Sequence, residues 1–209
     1  MEIRLEGIGK RFQSDWIFRN MTATIGACER WGVLGRNGSG KSTLLQILNG
    51  NISPTHGTIL WSHDGTIIPA SDVFRYLALV APYQELIEEF TLHEMITFHF
   101  SFKKMEEGYT VDRIIELLGF GDTYKKPIRQ FSSGMKQRVK LALAFMSDVP
   151  LLLLDEPTTN LDTSGIDWYY RLIRDLSRNR TLVICSNMHQ TEAGFVEKTL
   201  MIEDFKDRR

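Results

Sequence analysis

The stretch Gly35-Arg36-Asn37-Gly38-Ser39-Gly40-Lys41-Ser42 decides the fold, because it fills every fixed position of the phosphate-loop pattern G-x-x-x-x-G-K-[ST]. Arg30-Trp31-Gly32-Val33-Leu34 precedes it as a short apolar strand, and Thr43-Leu44-Leu45-Gln46-Ile47-Leu48 follows with helical character. Strand, glycine-rich loop and helix thus stand in the order that phosphate binding requires. Backbone N–H groups must converge on a polyanion, so glycines stand where a Cβ would block approach or where φ must be positive. The helix starting near Lys41 adds its positive N-terminal end, and the Lys41 ammonium is placed to reach β and γ phosphates. Ser42 supplies a hydroxyl suited to Mg²⁺, which prefers oxygen ligands. The pattern predicts a nucleoside triphosphate site.

Further along, Leu151-Leu152-Leu153-Leu154-Asp155-Glu156 is an apolar run ending in two carboxylates. A strand buried on both faces reads this way, and ligands of such sheets bind beyond the carboxyl ends of the strands. Asp155 is placed to hold Mg²⁺ through water opposite Ser42. Glu156, one residue on, is placed to act on a water as general base. Between the two motifs lies Phe131-Ser132-Ser133-Gly134-Met135-Lys136-Gln137-Arg138, followed by an alanine- and leucine-rich helix. Small residues opening a helix form a second anion-binding nest, although serine and glycine are also ordinary helix caps.

The rest of the chain bounds the answer. Its 209 residues suffice for one domain with a full core and room for an inserted lobe. With 25 basic and 26 acidic residues the net charge is −1, which gives no electrostatic reason to expect nucleic acid as a partner. Cys28 and Cys185 lack metal-ligand spacing, and both are expected as small core residues in a reducing compartment. The N-terminus reads as an alternating strand rather than an apolar signal. No stretch reaches the ~20 apolar residues that span a bilayer, so any work at a membrane is expected to go through a partner.

Strand signals occur at residues 3–5, 22–25, 31–34, 58–61, 77–81, 151–154, 182–185 and 199–202, with a hairpin turn at His63-Asp64-Gly65. Interleaved helical patterns predict an α/β fold with a mainly parallel sheet and an antiparallel β edge near the N-terminus. Residues 91–145 lack strand signals. Thr91-Leu92-His93-Glu94 is a capping box opening a helix through Phe102, and residues 111–118 form another helix ended by Gly119. This predicts one domain, with residues 1–90 and 146–209 as α/β core and 91–145 as an inserted all-helical subdomain. Phe98, Phe100 and Phe102 beside His93 and His99 are expected to pack in a core rather than form a cofactor pocket, and the histidines lack metal partners at helical spacing.

Taken together, these motifs resemble the nucleotide-binding domain of the ATP-binding cassette (ABC) family over essentially the full length of the chain. Residues 35–42 are similar to its Walker A loop and 151–156 to its Walker B strand in a P-loop NTPase core. Residues 131–135 resemble the signature L-S-G-G-Q, and Asn160-Leu161-Asp162 resembles the D-loop. The resemblance implies ATP and Mg²⁺ as ligands. It carries nucleotide contacts onto Phe12, as the aromatic that stacks on adenine, and onto Gly35, Asn37, Gly38, Ser39, Gly40, Lys41, Ser42 and Thr43. It adds Asp155, Gln84, Ser132 and Gly134, with Ser42, Asp155 and Gln84 on the metal and Glu156, Lys41 and Asn187 in catalysis. It implies a head-to-tail dimer, homomeric or with a similar domain, in which each ATP lies between one subunit's Walker A and the other's signature.

Three departures from the family pattern stand out. Ser133 and Met135 replace a glycine and the glutamine of the signature, leaving Ser132 and Gly134 to meet a γ phosphate. In Val183-Ile184-Cys185-Ser186-Asn187, Asn187 takes the place of the family's switch histidine, with His189 two residues on as the alternative. Asparagine can hydrogen-bond a phosphate but cannot take up a proton or positive charge, so slow turnover is expected. The Q-loop residue is Gln84 or Tyr83. The resemblance implies the cytoplasmic ATPase subunit of a transporter, peripheral on the inner face of the membrane. It would dock on a separate permease around residues 83–102, and no nucleic acid is expected. The chain's compactness is similar to the haem-exporter ATPase subunit of cytochrome c maturation. A soluble ABC ATPase remodelling a protein partner uses the same motifs. Translation-associated ABC proteins usually carry two cassettes, and a P-loop kinase leaves the signature and D-loop unexplained.

Overall fold

A computed structural model of the chain describes residues 1–187 and 193–206. The chain forms two compact units. The first comprises Met1–Leu79, Pro150–Glu156 and Asn179–Arg209, and the second Val80–Val149 and Pro157–Arg178. The second unit takes in residues beyond 91–145, notably a helix that follows the D-loop.

The first unit contains two sheets. In one, β1 (Glu2–Phe12), β2 (Asp15–Ile25), β4 (His56–His63) and β5 (Thr66–Ile68) pair antiparallel in the order β2-β1-β4-β5. The N-terminal antiparallel β element is therefore a sheet of its own. Asp64 and Gly65 have φ of 49° and 77° and close the two-residue turn between paired His63 and Thr66, as a primed hairpin turn requires. β1 runs well past residue 5, although register shifts between Leu5 and Ile8 and between Ile8 and Lys10 interrupt its alternation.

The other sheet has the order β6-β7-β8-β3-β9, from β3 (Arg30–Leu34), β6 (Leu77–Val80), β7 (Leu151–Asp155), β8 (Thr181–Ser186) and β9 (Lys198–Met201). β3 pairs parallel with both β8 and β9, and β7 parallel with β8. β7 and β8 are buried at every residue, the burial expected of strands with both faces covered. Helix α1 (Lys41–Leu48) puts Leu44, Leu45, Ile47 and Leu48 into a core shared with Ile3, Leu5, Phe18, Met21, Leu151 and Val183. Each such side chain contributes about 1.5–3 kcal/mol by leaving water. Trp61 packs into the same core and donates its indole N–H to the Leu48 carbonyl at 2.8 Å.

The second unit is helical. In α2 (Leu92–Phe100) the capping box is complete: the Thr91 side chain accepts from Glu94 N–H, and the Glu94 carboxylate accepts from Thr91 N–H at 2.8 Å. The helix stops at Phe100, two residues short of expectation. α3 (Val111–Leu118) is capped by Thr110 and ends at Gly119 in the left-handed region at φ 65°. α4 (Ser133–Phe145) is capped by Ser132, and α5 (Thr163–Leu176) by Asp162, which accepts from Gly165 N–H at 2.8 Å. α5 buries Gly165, Trp168, Tyr169, Leu172 and Ile173, a helical stripe. Arg138 of α4 sits 5.2 Å from the Phe120 ring and 4.8 Å from that of Trp168, with its guanidinium donating to the Leu118 carbonyl.

Two expectations fail here. Phe98 and Phe102 are 43% and 77% exposed, because α2 turns Leu92, Met95 and Ile96 inward and leaves the phenylalanines stacked edge to face outside. Cys28 is exposed, since it sits at φ 61° in the turn between β2 and β3; Cys185 in β8 is buried as expected.

Candidate nucleotide site

The loop after β3 and the start of α1 enclose a cleft of about 400 Å³, lined by residues 37–43, Ile17 and Glu156. Gly40 has φ 115°, and a Cβ there would lie 2.4 Å from Ile17 Cγ2, so glycine is required on both conformational and steric grounds. The backbone N–H of Leu44 bonds the Gly40 carbonyl at 2.9 Å, starting the helix directly behind the loop. The first N–H groups of α1, which have no partners within the helix, open where an anion would sit.

Lys41 is 5% exposed and its ammonium donates to Gly35 O at 2.8 Å, Arg36 O at 3.1 Å and Asn187 Oδ1 at 2.5 Å. Asn187 in turn donates through Nδ2 to Glu156 Oε1 at 2.6 Å. One amide therefore bridges the loop lysine and the carboxylate that ends the Walker B run. Glu156 adopts φ 46°, unusual for a side chain with a Cβ, and its N–H is held by the Cys185 carbonyl at 2.9 Å. That backbone strain sits at the residue expected to do chemistry.

Ser42 donates its hydroxyl to Asp155 Oδ2 at 2.7 Å. Burial pushes the Asp155 carboxyl above its ordinary pKa and the Glu156 charge adds to this, while the Ser42 hydrogen bond and Lys41 pull it down. A buried carboxylate beside a hydroxyl is an oxygen donor pair that a small dication would stabilise in its charged form. Among the described residues no group of three or more His, Cys, Asp or Glu is placed to hold a metal ion.

A family model described as ABC transporter matches residues 18–159. The chain belongs to the ABC transporter family. It is 30% identical over 192 residues to the lantibiotic transport ATP-binding protein SrtF of Streptococcus pyogenes, covering 89% of this chain and 80% of that one. It is 29% identical over 187 residues to the bacitracin transport ATP-binding protein BcrA of Bacillus licheniformis, covering 90% of this chain and 61% of BcrA. The chain thus spans about three fifths of that relative's length. A dimeric bacterial ABC transporter cassette, MJ0796, superposes with a TM-score of 0.81 at 24% identity over 99% of this chain and 97% of that one, a likeness of fold.

Within this ABC chain, the structure gathers Asn37, Gly38, Ser39, Gly40, Lys41, Ser42, Thr43, Asp155, Glu156 and Asn187 around one cleft or its hydrogen-bond partners. Gly35 stands at the base of the loop, where its carbonyl accepts from Lys41. Phe12 closes β1 and is 49% exposed, with the Lys10 ammonium 5.2 Å from its ring centroid; Ile17, not Phe12, lines the cleft. The sequence reading missed Ile17, for which a lone apolar residue in a strand offers no signal. His189 lies outside the described residues.

The other motif residues of the ABC chain belong to the second unit. Ser132 Oγ accepts from Met135 N–H at 3.2 Å as the cap of α4, and Gly134 packs so closely on Asn160 that a Cβ would lie 2.8 Å from its carbonyl oxygen. Gln137 donates to the Pro157 carbonyl at 2.8 Å, so the signature helix and the D-loop segment are held to each other twice. Gln84 turns its side chain onto its own turn, where Oε1 accepts from Ala81 N–H at 3.0 Å, and Tyr83 is 51% exposed.

Proposed function

We propose that the chain is the ATP-binding and ATP-hydrolysing subunit of an ABC transporter, driving substrate through a separate membrane permease. The observation that carries this reading is the chain of contacts from Lys41 through Asn187 to Glu156, set in a cleft formed by the phosphate-binding loop. The loop N–H groups and Lys41 would hold the β and γ phosphates, and Glu156 would take a proton from the water that attacks the γ phosphorus. The bond from that phosphorus to the β–γ bridging oxygen breaks, leaving ADP and phosphate. Ser42 and Asp155 would hold Mg²⁺, which when bound neutralises charge on the phosphate oxygens. Asn187 would hold the base and the lysine in register without itself titrating.

Relatives support the transport reading: SrtF and BcrA are named as ATP-binding proteins of lantibiotic and bacitracin transport. No helix among the described residues is long and apolar enough to cross a membrane, so the transport path would belong to a partner. We place the working unit as a head-to-tail dimer, with the Ser132 and Gly134 segment of one copy completing the other's ATP site, peripheral on the cytoplasmic side of the membrane.

Removing the base should let ATP close the dimer without consuming it. Glu156→Gln with Mg-ATP should sediment as a dimer and, purified from detergent-solubilised native membranes, should bring a multi-spanning protein in stoichiometric amount. Monomer alone at saturating Mg-ATP would refute the dimer mechanism. A dimer accompanied only by soluble protein would move the reading to an ABC ATPase that remodels a protein partner.

A further inference from the structure

β3 and β9 run parallel with Leu34 opposite Met201, so the residues two further along, Arg36 and Glu203, come side by side where the strands give way to loop and turn. Glu203 lies in a 3-10 turn, Ile202–Phe205, and its Oε1 accepts the backbone N–H of Arg36 at 2.8 Å. The Arg36 carbonyl, at the other end of the same residue, accepts from Lys41 Nζ and from Ser39 N–H, both at 3.1 Å. One carboxylate outside the motif thereby fixes the residue whose carbonyl helps aim the loop lysine.

The contact is closer than one hydrogen bond. A Cβ built on Gly35 would lie 2.6 Å from Ser39 Oγ and 2.9 Å from Glu203 Oε2, so both atoms crowd the same face of Gly35. Both are buried and have no hydrogen-bond partner among the described residues. A serine hydroxyl is a free rotor with a proton to donate, and a carboxylate oxygen has lone pairs to spare. Donor and acceptor are therefore matched in kind, and pairing them would tie residue 39 of the loop to the same carboxylate that already holds residue 36. The Arg36 N–H is also the main reason the Glu203 carboxyl titrates below its ordinary range.

We propose that Glu203 is a positioning residue for nucleotide binding, a strut that sets the phosphate-binding loop from behind; this rests on the reading of that loop as the ATP site. The strut acts by geometry and against its own charge. A carboxylate near the site opposes a polyanion, so what it contributes must come from the acceptor atom that orders the loop. Because the loop holds phosphate before and during reaction alike, losing the strut should appear in KM rather than in kcat.

The test compares Glu203→Ala, Glu203→Asp and Glu203→Gln in the full chain, with Mg-ATP affinity by calorimetry and KM and kcat by phosphate release. Glu203→Ala loses a charge-assisted hydrogen bond and should raise Kd and KM about tenfold, with kcat falling less than about threefold. Glu203→Asp, one methylene too short, should behave like Glu203→Ala. Glu203→Gln keeps the acceptor and drops the charge, so it should bind Mg-ATP about twofold more tightly than the unaltered chain. Glu203→Ala binding like the unaltered chain would overturn the proposal, as would Glu203→Gln losing as much as Glu203→Asp. If Glu203→Ala fails to fold, the contrast between Gln and Asp decides alone. If the unaltered chain itself fails to bind Mg-ATP, the site reading falls and the strut with it.

Discussion

Asn187 stands between the two groups proposed to act on the γ phosphate, and replacing it separates what the amide does from what a titratable side chain would do. Asn187→Ala removes a donor 2.6 Å from Glu156 Oε1 and an acceptor of the Lys41 ammonium. A hydrogen bond to a charged group contributes about 1.5–3 kcal/mol net. If the orientation of Glu156 matters mainly in the transition state, that range corresponds to about a 10- to 150-fold loss of kcat. Asn187→Asp keeps an acceptor for Lys41 but sets a second carboxylate against Glu156. Two carboxylates at that distance share a proton, so activity should fall at neutral pH and recover as pH rises. Asn187→His should introduce an inflection near pH 6.5 into a rate profile to which an amide contributes none. Steady-state phosphate release from pH 5.5 to 9 measures all three. Asn187→Ala keeping more than a third of the parent kcat while His189→Ala collapses would refute this role, because the functional residue would then be His189.

Two further outcomes follow from the second unit. Gly134→Ala should lower the melting temperature in calorimetry even though alanine favours helix by about 1 kcal/mol, because its Cβ would lie 2.8 Å from the Asn160 carbonyl oxygen, a backbone atom that cannot swing away; a raised melting temperature would show that the D-loop yields. His99, whose Nε2 sits 3.0 Å from Ser147 Oγ, has its pKa pushed down from 6.5 to about 4, chiefly by burial and then by the Lys103 charge. Below pH 6.5 the unfolded chain takes up a proton that the folded chain refuses, so stability falls with acidification through this window. The loss is about 2 kcal/mol between pH 7 and 5, measurable by urea unfolding and removed in His99→Gln.

How much of this was legible depends on how local the cause is. Gly40, Lys41, Ser42, Asp155 and Glu156 could be read because phosphate chemistry forces a fixed spacing within one turn or one strand end. The capping box at Thr91 and Glu94 and the stop at Gly119 were legible for the same reason, since each is a contact within a few residues. β1 was read only in part, because its register shifts break the alternation that marks a strand. β5 is three residues long, too short for a period to show, and α5 was overshadowed by the D-loop motif that caps it.

Contacts set by strand register are a different matter. Glu203 and Arg36 are 167 positions apart, and nothing in either neighbourhood marks them; they meet because Leu34 pairs with Met201. Asn187 reaches Lys41 across 146 positions because β8 pairs with β3, placing Ser186 opposite Leu34. The resemblance offered Asn187 or His189 for the histidine position, and the register shows Asn187 making a hydrogen bond to each of Lys41 and Glu156. A neutral amide there donates to the base and accepts from the lysine at once, which a neutral imidazole could match in only one tautomer and an imidazolium could not match at all. The bridge at Asn187 is therefore permanent where a histidine's would titrate, and it predicts a site whose geometry between Glu156 and Lys41 stays constant across physiological pH.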